Sequence, residues 1–238
     1  MPGCAHFRFS TKGDEVEAFP DPGVRAERIT EIYHRAALPL ALQTAGYEVL
    51  HASAVSHAGG VHVFCGASHV GKSTIAYGLS RRSFEVWADD AVAFKADAAA
   101  ITSFPLPFAL RLRHDVADFF EEARTEKSPN GKTEALRHRG AGPRTIASVS
   151  LLERGSDSTI SRLSSAGSLP AILYHSYYFS LDDSAVRHRM TDQFLELVAR
   201  VPLFRVTLRP GLRELGDFLD DLERRVLLPA PAEAVSAT

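Results

Sequence analysis

Gly66-Ala67-Ser68-His69-Val70-Gly71-Lys72-Ser73-Thr74 fills every position of the phosphate-loop pattern G-x-x-x-x-G-K-[ST]. Its surroundings fit the pattern too. The apolar run Val61-His62-Val63-Phe64-Cys65 precedes it as a strand, and Thr74-Ile75-Ala76-Tyr77-Gly78-Leu79 follows with helical character. Glycines in such a loop let the backbone curl until several N–H groups converge, and the N-terminus of the following helix adds partial positive charge, so the loop is an anion cradle. Read this way, residues 66–74 bind the phosphates of a nucleotide, Lys72 reaches the β- and γ-phosphates, and the Ser73 hydroxyl ligates Mg²⁺.

Composition narrows the remaining choices. The chain has 238 residues, 45% hydrophobic and 24% charged, enough apolar content for one α/β domain with a small added lobe. A formal net charge of −2 gives no polybasic signature, so neither nucleic acid nor a membrane surface is an expected partner. Cys4 and Cys65 form neither a metal-ligand spacing nor a disulfide framework, and Cys65 reads as a small buried hydrophobe. No basic-then-apolar leader opens the sequence and no apolar run approaches about 18 residues, so a soluble, cytoplasmic protein is expected.

Outward from the loop toward the N-terminus, Gly59-Gly60 marks a tight turn between the strand Tyr47–Val55 and the strand Val61–Cys65. A hairpin centred between Ala58 and Gly59 places His51 opposite Gly66, at the mouth of the phosphate loop. A histidine satisfied within the sheet is the competing reading. Earlier still, His6–Ser10 alternates like a strand, and 26–44 has helical spacing interrupted by Pro39, so a kink or two helices are expected, with Gly46 as the stop. The predicted organisation is a strand–helix lobe over 1–46, a nucleotide-binding domain over 47–228, and a disordered tail over 229–238.

Outward toward the C-terminus, Ser83-Phe84-Glu85-Val86-Trp87-Ala88-Asp89-Asp90 is a short apolar strand ending in acid. Carboxylates at the C-terminal edge of a strand beside the phosphate-loop strand sit where open α/β sheets bind ligands. Two adjacent aspartates allow a division of labour, one holding Mg²⁺ and the other accepting the proton of an attacking hydroxyl.

The run from His51 through Gly66–Thr74 to Asp89-Asp90 resembles the core of the HPr kinase/phosphorylase family. Leu50-His51-Ala52-Ser53-Ala54-Val55 and Ala88-Asp89-Asp90 are especially similar to its short, stand-alone HPr-kinase-related members, some of which phosphorylate serine on ribosomally made precursor peptides, lasso peptides among them. The resemblance implies a fold shared with phosphoenolpyruvate carboxykinases, a mixed β-sheet flanked by helices. It also implies ATP and Mg²⁺ as cofactors, a serine-bearing protein or peptide as partner, and a homo-oligomer. Carried onto this sequence, it makes His51, Lys72, Asp89 and Asp90 the catalytic group, with Asp90 as base and Ser73 and Asp90 as metal ligands. Where the family has Glu-x-Arg-Gly-Leu-Gly, this chain has Leu110-Arg111-Leu112-Arg113-His114-Asp115, so HPr itself is not the expected substrate. Asp115 is a candidate second metal ligand.

Arg111 and Arg113 alternate with Leu110 and Leu112, share one strand face, and are candidates for a substrate carboxylate or phosphate. Downstream, 125–132 and 140–144 have turn chemistry, and Lys132, Arg137, Arg139 and Arg144 are candidates to approach the γ-phosphate from a mobile segment. Predicted elements then follow as a helix over 115–124, strands over 145–152, 160–163 and 203–208, and helices over 169–179, 185–200 and 211–228. Two further functional readings stay open: a kinase of free serine or another metabolite, and a nucleotide-gated binding protein without transfer chemistry.

Overall fold

The two-residue turn at Ala58-Gly59 sets the register from which the rest of the sheet is built. In the computed structural model, which describes residues 4–121, 132–138, 142–177 and 183–228, Ala52 pairs with Cys65 and His57 with Gly60. That is the register the sequence predicts.

In chain order, β1 (Ala5–Phe9) and β2 (Val16–Pro20) form a separate antiparallel ribbon. Helix α1 (Ala26–Ile32) runs through a π-helical turn, Tyr33–Ala37, into α2 (Leu38–Thr44). Pro39 has no N–H to continue the α-helical ladder, and the wider turn just before it absorbs the missing bond. Then come β3 (Glu48–Leu50), β4 (Ala52–His57), β5 (Gly60–Gly66), α3 (Lys72–Ser80), β6 (Glu85–Ala88), β7 (Val92–Ala96) and β8 (Ile101–Phe104). A second ribbon pairs β9 (Phe108–Arg113) with β10 (Lys132–His138), with α4 (His114–Phe119) leaving β9. The chain closes with β11 (Arg144–Arg154), β12 (Thr159–Arg162), α5 (Ser165–Leu173), α6 (Ser184–Arg200), β13 (Leu203–Leu208), α7 (Leu215–Leu222) and a π-helical turn, Glu223–Leu227.

Nine strands make one mixed sheet in the order β3-β7-β8-β11-β5-β4-β6, with β13 added beside β11 and β12 beside β13. The long strand β11 divides one edge between two partners. Arg144 and Thr145 pair antiparallel with β8, and Val149 to Arg154 pair parallel with β13. On its other edge it runs parallel to β5. Because β4 is antiparallel to both β5 and β6, the strands β5, β6, β11 and β13 all end at the same edge of the sheet, where β4 begins.

Side chains alternate across this sheet as a strand period of two requires. Val61, Val63 and Cys65 of β5 face a core closed by α5 and α6 through Ile172, Phe194 and Leu197. Phe64, pointing the other way, faces a second core closed by α3 and α7 through Ile75, Leu79, Phe218 and Leu222. Each large apolar side chain so buried contributes about 1.5–3 kcal/mol. Among the described residues no helix is long and apolar enough to cross a membrane.

Some expectations are corrected. The strand predicted over 47–55 is two strands broken by a bend at His51, whose N–H donates to the His175 carbonyl at 2.7 Å. Of the helix predicted over 115–124, α4 ends at Phe119 and 122–124 lie outside the described residues; of the one predicted over 169–179, α5 ends at Leu173 and 178–179 lie outside them. The tail over 229–238 and Arg139 lie outside the described residues.

Candidate active site

His51, Asp90, Arg111 and Arg113 join Ser68 to Thr74 in one cleft of about 800 Å³ at the common edge of the sheet. The loop itself is shaped by backbone that side chains disfavour. Gly66 has φ +156°, and a Cβ there would lie 2.8 Å from both the Leu152 carbonyl and a Val70 methyl, so only glycine fits. Gly71 has φ +123°, and a Cβ there would meet its neighbours only at ordinary contact distance, so its requirement is conformational. His69, at φ +65°, takes the left-handed region without being glycine, a local strain held by the surrounding loop. Ser68 to Ile75 line the cleft.

Lys72 opens α3, is 7% exposed, and its Nζ donates to the Gly66 carbonyl at 2.8 Å and the Ala67 carbonyl at 3.2 Å. It also lies 3.3 Å from Nε2 of His51. The other nitrogen of that ring, Nδ1, lies 3.1 Å from the Asp90 carbonyl oxygen, which only accepts, so Nδ1 carries the proton and Nε2 receives the ammonium. Burial, reinforced by the Lys72 charge, holds the His51 imidazole below its usual range and so keeps this neutral tautomer. His51 therefore ties Lys72 to the backbone of Asp90.

The two aspartates diverge. Asp89 is buried, and its Oδ1 accepts from Ser53 Oγ at 2.6 Å and from Ser73 Oγ at 2.9 Å. Asp90 sits in the left-handed region at φ +67°, which turns its side chain into the cleft. There its carboxylate is 44% exposed and 3.6 Å from Nε of Arg35. Its carbonyl also accepts from the Tyr177 hydroxyl at 3.3 Å. Burial and the Asp90 charge push that phenol up to about 12, so it remains a donor.

The expected metal pair of Ser73 and Asp90 is thus not the pair in contact. Ser73 meets Asp89, because Asp89 directly follows β6 while the left-handed turn carries Asp90 away. A hydroxyl and a carboxylate oxygen at 2.9 Å are hard donors of the kind Mg²⁺ takes together with phosphates and water. Among the described residues no cluster of three or more His, Cys, Asp and Glu side chains forms a self-sufficient metal site.

Arg111 and Arg113 both line the cleft. Arg111 donates to Glu31 at 3.2 Å, and Arg113 donates to both carboxylate oxygens of Asp115 at 3.0 and 2.8 Å. Arg144 is corrected outright. It opens β11 at the opposite edge of the sheet, bonded to Ser56 and Glu85 and stacked over Trp87, some eight residues or about 26 Å of strand from the Leu152 end beside Gly66. Lys132 and Arg137 belong to β10, a strand where a mobile loop is expected, and their side chains lie outside the described set. Cys65 is fully buried, and burial pushes its thiol up to about 12, leaving it inert.

Residues that sequence reasoning passes over complete the cleft: Arg35, Arg154, Arg209 and Arg213. With Lys72, Arg111 and Arg113 they set seven cationic side chains against the three carboxylates of Asp90, Asp115 and Glu214, in a chain whose overall charge is −2. Such a cleft focuses positive potential and concentrates anions. Arg154 and Arg209 had a readable signal, since each lies at the carboxyl end of a strand in line with the phosphate-loop strand.

No family model matches the chain, and no curated protein matches it by sequence. Among solved structures it is similar to the Hpr(Ser) kinase/phosphatase from Coxiella burnetii, at 9% sequence identity and a TM-score of 0.39, over 73% of this chain and 92% of that one. A likeness of that degree carries no residue roles.

Proposed function

We propose that this protein is an ATP-dependent kinase that transfers the γ-phosphoryl group to a serine hydroxyl of a protein or peptide. The observation that carries the reading is the convergence on one phosphate loop of Lys72, His51 at 3.3 Å from it, and Ser73 bonded to Asp89 at 2.9 Å, with Asp90 turned into the same cleft.

Each role follows from position. The loop N–H groups and Lys72 hold the β- and γ-phosphates and neutralise charge that grows on them in the transition state. Binding triphosphate draws the Lys72 ammonium off the Gly66 and Ala67 carbonyls it now occupies. Ser73 and Asp89 are the oxygens that would hold Mg²⁺, which when bound screens the phosphate charge. Asp90 accepts the proton of the serine hydroxyl as its oxygen attacks the γ-phosphorus, the bond to the β–γ bridging oxygen breaks, and ADP leaves. His51 and Tyr177 fix the Asp90 backbone through its carbonyl, so the base is held at a set distance from Lys72. Arg35, Arg111 and Arg113 line the Asp90 side of the cleft and favour an acceptor with acidic groups near its serine. In the proposal, the acceptor is a macromolecule and the enzyme works as a homo-oligomer, as the family resemblance implies.

Incubation with γ-labelled ATP, Mg²⁺ and serine peptide libraries of acidic, neutral and basic flanks tests this. Label in phosphoserine, strongest on acidic flanks, is the expected result. Tight ATP binding with no label in any acceptor would favour a nucleotide-gated binding protein, and label confined to free serine would favour a metabolite kinase.

A further inference from the structure

An ionic cluster from the N-terminal lobe reaches the cleft. Glu31 of α1 sits three residues after Arg28 and four before Arg35, the spacing at which helical side chains meet. Its Oε2 accepts from Arg28 at 2.9 Å. Its Oε1 accepts from Arg35 Nη1 at 3.4 Å and from Arg111 Nη1 of β9 at 3.2 Å. Arg35 and Arg111 line the cleft, whereas Glu31, its side chain 20% exposed, stands behind them. Arg35 is the middle residue of the π-helical turn Tyr33–Ala37, a wider turn of a kind that recurs at functional sites. Its Nε lies 3.6 Å from Asp90 Oδ2, an ion pair longer than a hydrogen bond. Isolated pairs as exposed as this one contribute little. A carboxylate shared by three guanidinium groups from two elements is a network instead, and its members fix one another.

We propose that Arg35 is a positioning residue for the transfer: it holds Asp90 Oδ2, so that Oδ1 faces the acceptor hydroxyl and takes its proton, and Glu31 holds Arg35 in place. The inference rests on the kinase reading and extends the machinery to the N-terminal lobe. His51 and Tyr177 fix Asp90 only through its carbonyl, which leaves both side-chain torsions to be set by something else. Among the described residues, Arg35 is the side chain that pairs with that carboxylate. A general base works only when it is presented within hydrogen-bond reach of the proton, so the group that sets those torsions sets the rate. Nε serves Asp90 and Nη1 serves Glu31, and Nη2 keeps its donors for an acidic acceptor.

Steady-state transfer to an acidic-flanked serine peptide, with MgATP affinity by calorimetry, tests the role in Arg35→Ala, Arg35→Lys, Glu31→Gln and the double variant Glu31→Gln/Arg35→Ala. Arg35→Ala should lower kcat roughly tenfold or more while MgATP affinity stays within about twofold. Arg35→Lys should recover part of that loss, because an ammonium keeps the charge but not the fork. Glu31→Gln should also lower kcat, and the double variant should transfer no more slowly than Arg35→Ala, because Glu31 acts through Arg35. An unchanged kcat in Arg35→Ala, or losses that add in the double variant, would overturn the proposal. So would a change confined to the peptide KM, which would leave Arg35 an acceptor-binding group alone. With an active wild type, those results refute only the positioning role. Wild-type protein that transfers to no acceptor refutes the kinase reading and this one together.

Discussion

The two edges of the central sheet carry similar residues to opposite ends. At the amino edge of β5 and β11, polar side chains satisfy one another. Arg144 bonds Ser56 and Glu85 and covers Trp87, His57 bonds the Ser83 carbonyl at 3.0 Å, and His62 bonds Ser148 at 2.8 Å. At the carboxyl edge, the backbone enters left-handed conformations at His69 and Asp90, and cations outnumber carboxylates. One edge is closed chemistry that stabilises the fold. The other holds charge and strain, which the proposed function assigns to binding an anionic ligand. Substitutions should therefore separate cleanly, with activity lost at one edge and stability at the other.

The largest effect is expected at Asp90. Asp90→Asn keeps the size of the side chain but removes the base, and should slow transfer roughly 10²–10⁴-fold in a steady-state kinase assay. Lys72→Ala removes an electrostatic clamp and should cost roughly 10²–10³-fold in the same assay. At the amino edge, burial pushes the His62 imidazole down to about 4 from an ordinary 6.5. The unfolded chain then takes up this proton first, so stability is full above about pH 6.5 and declines as pH falls toward 4, by about 3 kcal/mol at the end of that window. Denaturant titrations at pH 7 and pH 4.5 should show the decline, reduced in His62→Gln, with His175 contributing a parallel loss because burial lowers it to about 4 as well. The smallest effect is expected for Arg144→Ala, about 1 kcal/mol of stability by thermal unfolding, with kcat/KM unchanged. A large activity loss there would erase the distinction between the edges.

How much of this was readable from the sequence differs along the same lines. The strand–loop–helix unit, the hairpin register and the approach of His51 to the loop follow from a glycine turn and a period of two, both local signals. The hairpin of β7 and β8 escaped notice because the alanine run at 96, 98, 99 and 100 has weak strand preference, while the Asp97 side chain makes the turn by accepting from the Ala99 and Ala100 N–H groups. Arg35 gave no local signal, since one arginine in a helical segment gains meaning only when the fold brings it to the cleft, whereas Arg154 and Arg209 become readable once their strands are set beside the loop strand. Arg144 failed in the opposite direction, since its place beside a polar, glycine-rich segment gave no hint that it opens the central strand at the far edge. That Ser73 meets Asp89 and not Asp90 turns on one backbone angle that adjacent identical residues cannot reveal.

One measurement bears most directly on phosphoryl transfer at this cleft: MgATP affinity by calorimetry and transfer rate to a serine peptide, determined side by side for wild type and Asp90→Asn. Affinity within about threefold, with transfer down at least roughly 100-fold, is the expected result. Transfer by the variant at the wild-type rate would contradict it.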